Sequence, residues 1–108
     1  MSILNFHNYL LMVINVQKYI SSTYNIPIDV LKGKSTITDK QHYNLYNLSI
    51  IMSWLLHPTQ AYGCKSLIAR HHSCNKNRVF RLYKLYNKND KFKSFVDKAK
   101  DNYTNTYA

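Results

Sequence analysis

The chain has 108 residues, of which 45% are apolar, so it is long and apolar enough to fold as one domain with a core. Fifteen Lys and Arg stand against five Asp and no Glu. The resulting formal net charge of +10 indicates a polyanionic partner, with DNA or RNA favoured over an acidic membrane. Only two Gly and two Pro are present, which excludes a turn-rich β-sandwich or barrel and favours an all-α fold.

The first third of the chain predicts a long helix, a short helical turn and a polar loop. Apolar residues recur at helical spacing over residues 4–23, with Gln17 as the one polar break. Asn25 is expected to stop this helix. Pro27 suits the start of a short helical turn, which Gly33 is expected to end.

The middle of the chain predicts a buried helix. Thr38 or Asp39 is expected to cap it, because the first N–H groups of a helix need a side-chain oxygen. Apolar residues fall on nearly every face over residues 43–56, which is the pattern of a central helix. Three large aromatic residues of this stretch are assigned to the core: Tyr43, Tyr46 and Trp54. Pro58 is expected to end the helix and to begin a loop through Gly63.

Residues 65–86 predict two short helices joined by a polar turn. The first covers residues 66–72, the turn covers 73–75, and the second covers 76–87. One face of the second helix is apolar and the other is basic; the apolar face consists of Val79, Leu82, Tyr83 and Tyr86. In a strongly basic protein this order indicates a helix-turn-helix whose second helix faces a nucleic acid.

The last segment predicts one more helix, beginning at Asn89 or Asp90. Its inward residues are expected to be Phe92, Phe95, Val96 and Ala99. After Asp101 the apolar periodicity ends, so residues 102–108 are expected to fray and the domain to span residues 1–101.

The order of these elements resembles the C-terminal DNA-binding domain of the bacterial replication initiator DnaA, over roughly residues 13–98. The residues that carry the resemblance are Tyr24-Asn25-Ile26 with Leu31, Gly33, Lys34 and Ser35, then Leu55-Leu56, Ser66-Leu67 and the segment NDKFKSFVDKA. The resemblance implies a compact all-α domain of about five to six helices that binds double-stranded DNA through its helix-turn-helix. No G-x-x-x-x-G-K-[ST] motif is present, so ATP-driven initiation is not expected. A stand-alone copy of this domain would act in replication control or transcription, and a phage or mobile element is a reasonable source.

The chain departs from the family where the second helix begins. The family phrase Gly-Arg-Asp-His-Ser/Thr-Thr-Val falls on residues 73–79, where only the valine is kept. The resemblance implies that the family's Asp and His read base edges, and Asn75 and Lys76 stand in their places. The target sequence is therefore expected to differ from the family's. Asn75, Lys76, Asn77 and Arg78 are the predicted base readers, since amide and cationic groups can pair with adenine and guanine.

Further cations are predicted to contact phosphates, which position a protein on DNA without reading its sequence. They are Lys32, Lys34, Lys65, Arg70, Arg81, Lys84 and Lys88. The two loop lysines precede the helix start near Thr38, where N–H groups favour an anion.

One alternative is a protein-interaction module, an inhibitor or adaptor of a replication or defence protein, that keeps the fold without reading DNA sequence. A tyrosine platform for single strands is disfavoured, because most of the ten tyrosines fall on inner faces. The chain is expected to be cytoplasmic and nucleoid-associated, since its longest early apolar run is too short to span a membrane.

Catalysis and metal binding are not expected. The chain has no Glu and no paired carboxylates, so neither an enzyme, nor a cofactor, nor a small-molecule substrate is predicted. Cys64, His71, His72 and Cys74 lack the close cysteine pair that structural zinc sites use. The two cysteines are expected to be reduced thiols. His71 is expected to be packed and His72 partly exposed.

Overall fold

The computed structural model describes residues 3–57 and 64–107, with side chains described over 8–57 and 64–106. This part of the chain forms six α-helices and no strand, which confirms the all-α prediction. The helices are α1 (Ile3–Tyr24), α2 (Ile28–Leu31), α3 (Lys40–Leu55), α4 (Cys64–His71), α5 (Lys76–Lys88) and α6 (Asp90–Tyr107). The expected stop at Pro58 and the loop to Gly63 lie outside the described residues. None of the described helices has the length and apolar character needed to cross a membrane.

Helix α3 is the centre of the fold, as its sequence predicts. All of its residues from Leu45 to Trp54 are buried, and each of the other five helices contacts it. They contribute fully buried apolar side chains that include Val13, Ile20, Leu31, Ile68, Val79 and Val96. Burying an aliphatic side chain of this kind stabilises the fold by about 1.5–3 kcal/mol, so this shared core holds the helices together.

The helix ends follow the local chemistry of the sequence. Asn25 and Gly33 adopt left-handed backbone conformations, with φ of 54° and 72°, and end α1 and α2 as predicted. In each case the next residue's N–H donates back over the turn, from Ile26 to Ser21 O (3.1 Å) and from Lys34 to Asp29 O (2.9 Å). Of the two predicted caps of α3, Asp39 is the one used, because its side chain accepts a hydrogen bond from Gln41 N (2.7 Å).

Two aromatic residues that were assigned to the core are instead exposed. Tyr43 is 45% exposed, because it lies in the first turn of α3, before the buried stretch begins at Leu45. Phe95 is 38% exposed. The inward positions of α6 follow a spacing of four, three and four residues (Phe92, Val96, Ala99 and Tyr103), and Phe95 lies beside that stripe.

The expected fraying after Asp101 is wrong, because α6 continues to Tyr107. Tyr103 is buried, and its ring meets that of Tyr19 edge-on at a centroid distance of 5.5 Å. This ring contact joins the C-terminal part of α6 to α1.

Candidate nucleic-acid interface

Helices α4 and α5 form the predicted helix-turn-helix, with residues 72–75 as the turn. Ser73 has a φ of 53°, the left-handed conformation in which glycine is usual. The N–H of Ser73 donates to Arg70 O (3.2 Å) and that of Cys74 to Ala69 O (2.9 Å), the bond pair of a Schellman helix end. Ser73 therefore holds a backbone conformation that glycine would adopt more readily.

The histidine that supports this turn is His72, which is fully buried, whereas His71 is half-buried. The prediction for these two residues was therefore reversed. Nδ1 of His72 lies 2.8 Å from Ile68 O and must donate, since a carbonyl only accepts. Nε2 then accepts from the hydroxyl of Ser49 at 2.7 Å. Burial lowers the pKa of His72 to about 4, so the ring is neutral near pH 7.

Two backbone carbonyls, one at the end of α4 and one at the start of the turn, accept hydrogen bonds from side chains outside α4 and α5. The hydroxyl of Tyr46 donates to His72 O (2.6 Å), and Nε2 of the buried Gln17 donates to His71 O (2.9 Å). Gln17, the polar break in α1, thus satisfies a carbonyl at the end of α4. The turn is tied to α1 and α3 and does not depend on α4 and α5 alone.

The predicted base readers at the start of α5 are in part brought together. Asn75 caps the helix with its side-chain oxygen, which accepts from Asn77 N (2.8 Å), so its amide NH₂ is the group it can offer to a base. Asn75, Lys76 and Asn77 are all exposed. Arg70 joins Asn75 and Lys76 around a shallow cleft of about 310 Å³ between α4 and α5.

Arg78 points away from this group. Its Nη1 lies 3.2 Å from the hydroxyl of Tyr43 and 3.1 Å from Oδ1 of Asn47, both on α3. Its guanidinium also lies over the rings of Tyr43 and Tyr46 at 5.7 and 5.6 Å. The hydrogen bond from Arg78 lowers the pKa of Tyr43 and raises that of Arg78. Base reading by Arg78 would have to compete with these contacts.

The outward face of α5 is basic along its length. Arg81, Lys84 and Lys88 are exposed, and the segment from Cys64 to Lys88 contains seven Lys and Arg but no acidic residue. Helical spacing places Asn77, Arg81, Lys84 and Lys88 on the face opposite the buried Val79 and Leu82.

One exposed side chain of this region was missed by the sequence reasoning. Phe80 is 47% exposed and has the ammonium of Lys65 4.0 Å from its ring centre and that of Lys84 at 5.5 Å. Lys65 also lies 5.0 Å from the ring of Trp54. Cations over aromatic faces are held in place by the ring quadrupole. The sequence does contain a signal for this exposure. Phe80 follows the inward Val79 by one residue, which places it about 100° away around the helix axis and off the buried face.

The loop that carries Lys32 and Lys34 packs against the turn through Gly33. Gly33 packs so closely against it that a Cβ atom would be 2.3 Å from His72 O. Lys32 and Arg70 both lower the pKa of His71 by charge repulsion, after the larger effect of burial, so both cations are near that imidazole. Lys34 is exposed. At the start of α3, where an anion was expected beside these lysines, the carboxylate of Asp39 accepts a hydrogen bond from Gln41 N.

Within the part of the chain that the structure describes, the histidines and cysteines do not assemble into a metal site. Among the described residues no three His, Cys, Asp or Glu side chains are placed to hold a metal ion. Cys64 and Cys74 form no disulfide. A buried contact joins Cys64 Sγ to His57 Nε2 at 3.2 Å, a pair that sequence spacing did not suggest.

Comparison of the chain with protein-family models, with curated proteins and with solved structures finds no match. The class that the geometry defines is a compact helical domain with a helix-turn-helix whose exposed face is cationic. The resemblance to DnaA is a likeness of short sequence motifs alone, such as Tyr24-Asn25-Ile26 and Ser66-Leu67.

Proposed function

We propose that this protein binds double-stranded DNA, with α5 in the major groove, and acts in replication control or transcription. The observation that carries the proposal is the outward face of α5, where Asn77, Arg81, Lys84 and Lys88 follow a rigidly held turn and no acidic residue occurs from Cys64 to Lys88. A helix-turn-helix reads DNA with the N-terminal residues of its second helix, and cations along that helix suit the phosphates.

The buried contacts to the turn support the proposal because they orient α5 before any DNA arrives. His72, Tyr46 and Gln17 bind the turn to the body of the domain. A recognition helix that is fixed in advance loses less conformational freedom on binding.

The residues divide into two roles. Asn75, Lys76 and Asn77 lie at the start of α5 and are the proposed base readers, with Arg78 joining them if its contacts to α3 open. Phosphate contacts are proposed for cations from the loop after α2, from α4 and from α5: Lys32, Lys34, Lys65, Arg70, Arg81, Lys84 and Lys88.

A salt titration of duplex binding tests the proposal. Affinity for a duplex should fall by orders of magnitude between about 50 and 200 mM salt, because binding releases counterions from the phosphates. Lys84→Ala should weaken all duplexes alike and reduce the salt slope by about one. Lys98→Ala removes the same charge from α6 and serves as the control, with a smaller effect on the slope. Absence of duplex binding at low salt would refute the proposal.

Selection from a pool of random duplexes tests the reading of bases. Enrichment of a defined sequence is expected for the wild-type protein. Asn77→Ala leaves the charge unchanged, so it should relax one position of that sequence while the salt slope stays the same. A salt slope that falls with Asn77→Ala would contradict the division of roles.

A further inference from the structure

A second surface lies along another side of α5. A groove of about 900 Å³ runs between α3, α5 and α6, and we call it the α3–α5–α6 groove. Among the described residues five large apolar side chains are exposed, and three of them line this groove: Tyr43, Leu85 and Phe95. Single exposed apolar residues are common on proteins, whereas a concave cluster of them marks an interaction surface.

The charge of the groove has one sign. Lys40, Arg81 and Lys91 are exposed at its surface, and Arg78 is half-buried within it. None of its lining residues is acidic. An occupant therefore needs apolar side chains for the concave part and carboxylates for these cations.

Part of the groove is already rigid. Arg78 joins α5 to α3 by hydrogen bonds to Tyr43 and Asn47, which fixes the exposed ring of Tyr43 in the groove. Aromatic and arginine side chains held in this way are the residues that most often dominate protein interfaces.

We propose that the α3–α5–α6 groove binds an acidic, amphipathic segment of a partner protein. Its apolar side chains would pack on Tyr43, Leu85 and Phe95, and its carboxylates would meet Lys40, Arg81 and Lys91. Arg81 borders both this groove and the outward face of α5, but the apolar part of the groove is distinct from the face that carries Asn77 and Lys84, so the proposal does not depend on DNA binding.

The chemistry of the groove disfavours the other occupants. A duplex presents phosphates, which find no match in the exposed rings and the leucine. A second copy of the chain carries a net charge of +10 and would be repelled by the same cations. An acidic protein segment satisfies both the apolar and the cationic part of the surface.

Synthetic peptides provide the test, with fluorescence anisotropy as the measurement. The probe is a 16-residue peptide with Leu and Phe at helical spacing and Glu elsewhere. One control peptide replaces Glu by Lys, and the other replaces Leu and Phe by Ser. The probe should bind at least about tenfold more tightly than either control, because both kinds of contact are needed. Equal binding of the probe and the Ser control would overturn the proposal, since charge alone would then explain the affinity.

Two leucines of nearly equal exposure give a matched pair of variants. Leu85 is 42% exposed in the groove, and Leu11 is 44% exposed on α1, outside it. Leu85→Ser should weaken probe binding at least about fivefold, whereas Leu11→Ser should leave it unchanged. Equal effects of the two variants would overturn the proposal.

Duplex DNA and anionic vesicles, tested with the same variants, separate this proposal from other uses of the groove. Leu85→Ser should leave duplex binding intact, so failure of DNA binding and failure of groove binding are independent results. If Leu85→Ser weakens binding to the duplex or to the vesicles and not to the peptide, the proposal is wrong.

Discussion

Gly33 connects the loop after α2 to the turn of the helix-turn-helix. Its φ of 72° is a left-handed conformation, and the space where a Cβ would lie is 2.3 Å from His72 O and 3.0 Å from Cβ of Ser73. The clash with His72 would be with backbone that Tyr46 holds through a hydrogen bond, so it has little freedom to shift. This residue fixes how near the basic loop lies to α4 and α5.

Replacing Gly33 by Ala should destabilise the protein by about 2 kcal/mol or more, from left-handed strain together with overpacking. Urea unfolding measures the loss. Lys34→Ala, at the exposed neighbouring position, is the control and should change the unfolding free energy by less than about 0.5 kcal/mol. Similar urea midpoints for the two variants would show that the loop does not pack on the turn in this way.

A substitution at Ser73 should stabilise the protein, in contrast to Gly33→Ala. It is the non-glycine residue in the left-handed position of the turn, and it is exposed. Ser73→Gly should stabilise the protein by about 0.5–1 kcal/mol, because glycine adopts this conformation without a Cβ penalty. Ser66→Gly, at an exposed position in the first half of α4, should destabilise the protein by about 0.5 kcal/mol through lower helix propensity. Thermal unfolding of both variants should thus give shifts of opposite direction, and two losses would contradict the left-handed turn.

At the scale of elements, the packing of His72 between α3 and α4 makes the free energy of unfolding depend on pH. His72 is neutral and fully buried there, between Ser49 and Ile68 O. Burial lowers its pKa from 6.5 to about 4, so the unfolded chain binds the proton more readily than the folded protein. Stability should fall as the pH drops from about 6.5 to about 4, and this effect should level off below the folded-state pKa.

The size of this effect is about 3 kcal/mol at most, since each unit of pKa shift corresponds to about 1.4 kcal/mol. An NMR titration of the wild-type imidazole measures the pKa of His72 directly, without a variant whose folding is in question. Urea unfolding at several pH values measures the linked loss of stability. Titration of His72 near pH 6.5 in the folded protein would contradict the buried contact.

The helices themselves could be predicted from the sequence, because their signals are local. Asn25 and Gly33 stop α1 and α2, and Asp39 and Asn75 cap α3 and α5. An apolar face marks α5, whereas α3 is marked by apolar residues on nearly every face. Helical spacing alone also places the basic residues on the outer face of α5. These features depend on neighbours within a turn or two.

The sequence did not show those contacts that depend on residues far along the chain. His72 rather than His71 is buried because Ser49, 23 residues earlier, accommodates its ring. Arg78 points to α3 because Asn47, 31 residues earlier, accepts its hydrogen bond. The tail stays helical because Tyr103 packs on Tyr19. No local pattern encodes such contacts, so only the folded structure reveals them.

At the scale of the whole molecule, the excess of positive charge should make the melting temperature depend on salt in opposite ways for the free protein and for its DNA complex. Among the described residues the ion pairs are Lys93–Asp97 and Lys100–Asp97, which share one carboxylate. Most of the fifteen cationic side chains are therefore not part of these ion pairs, and they repel one another. Salt screens this repulsion, so the melting temperature of the protein alone should rise as salt increases from about 10 to 300 mM.

A bound duplex should reverse that trend. A ligand at 100 times its Kd stabilises the folded state by about 2.7 kcal/mol, which for a domain of this size raises Tm by roughly 10 °C or more. Added salt weakens phosphate binding steeply, so this increment should shrink towards zero between about 50 and 300 mM. Circular dichroism at 222 nm follows both trends on the same samples. For Lys84→Ala, the Tm of the protein alone should still rise with salt, and the increase in Tm caused by DNA should be smaller than in the wild type. An increment that is absent at low salt, or that persists unchanged at high salt, would contradict phosphate-driven binding, because each cation engaged by a phosphate must contribute to the salt dependence.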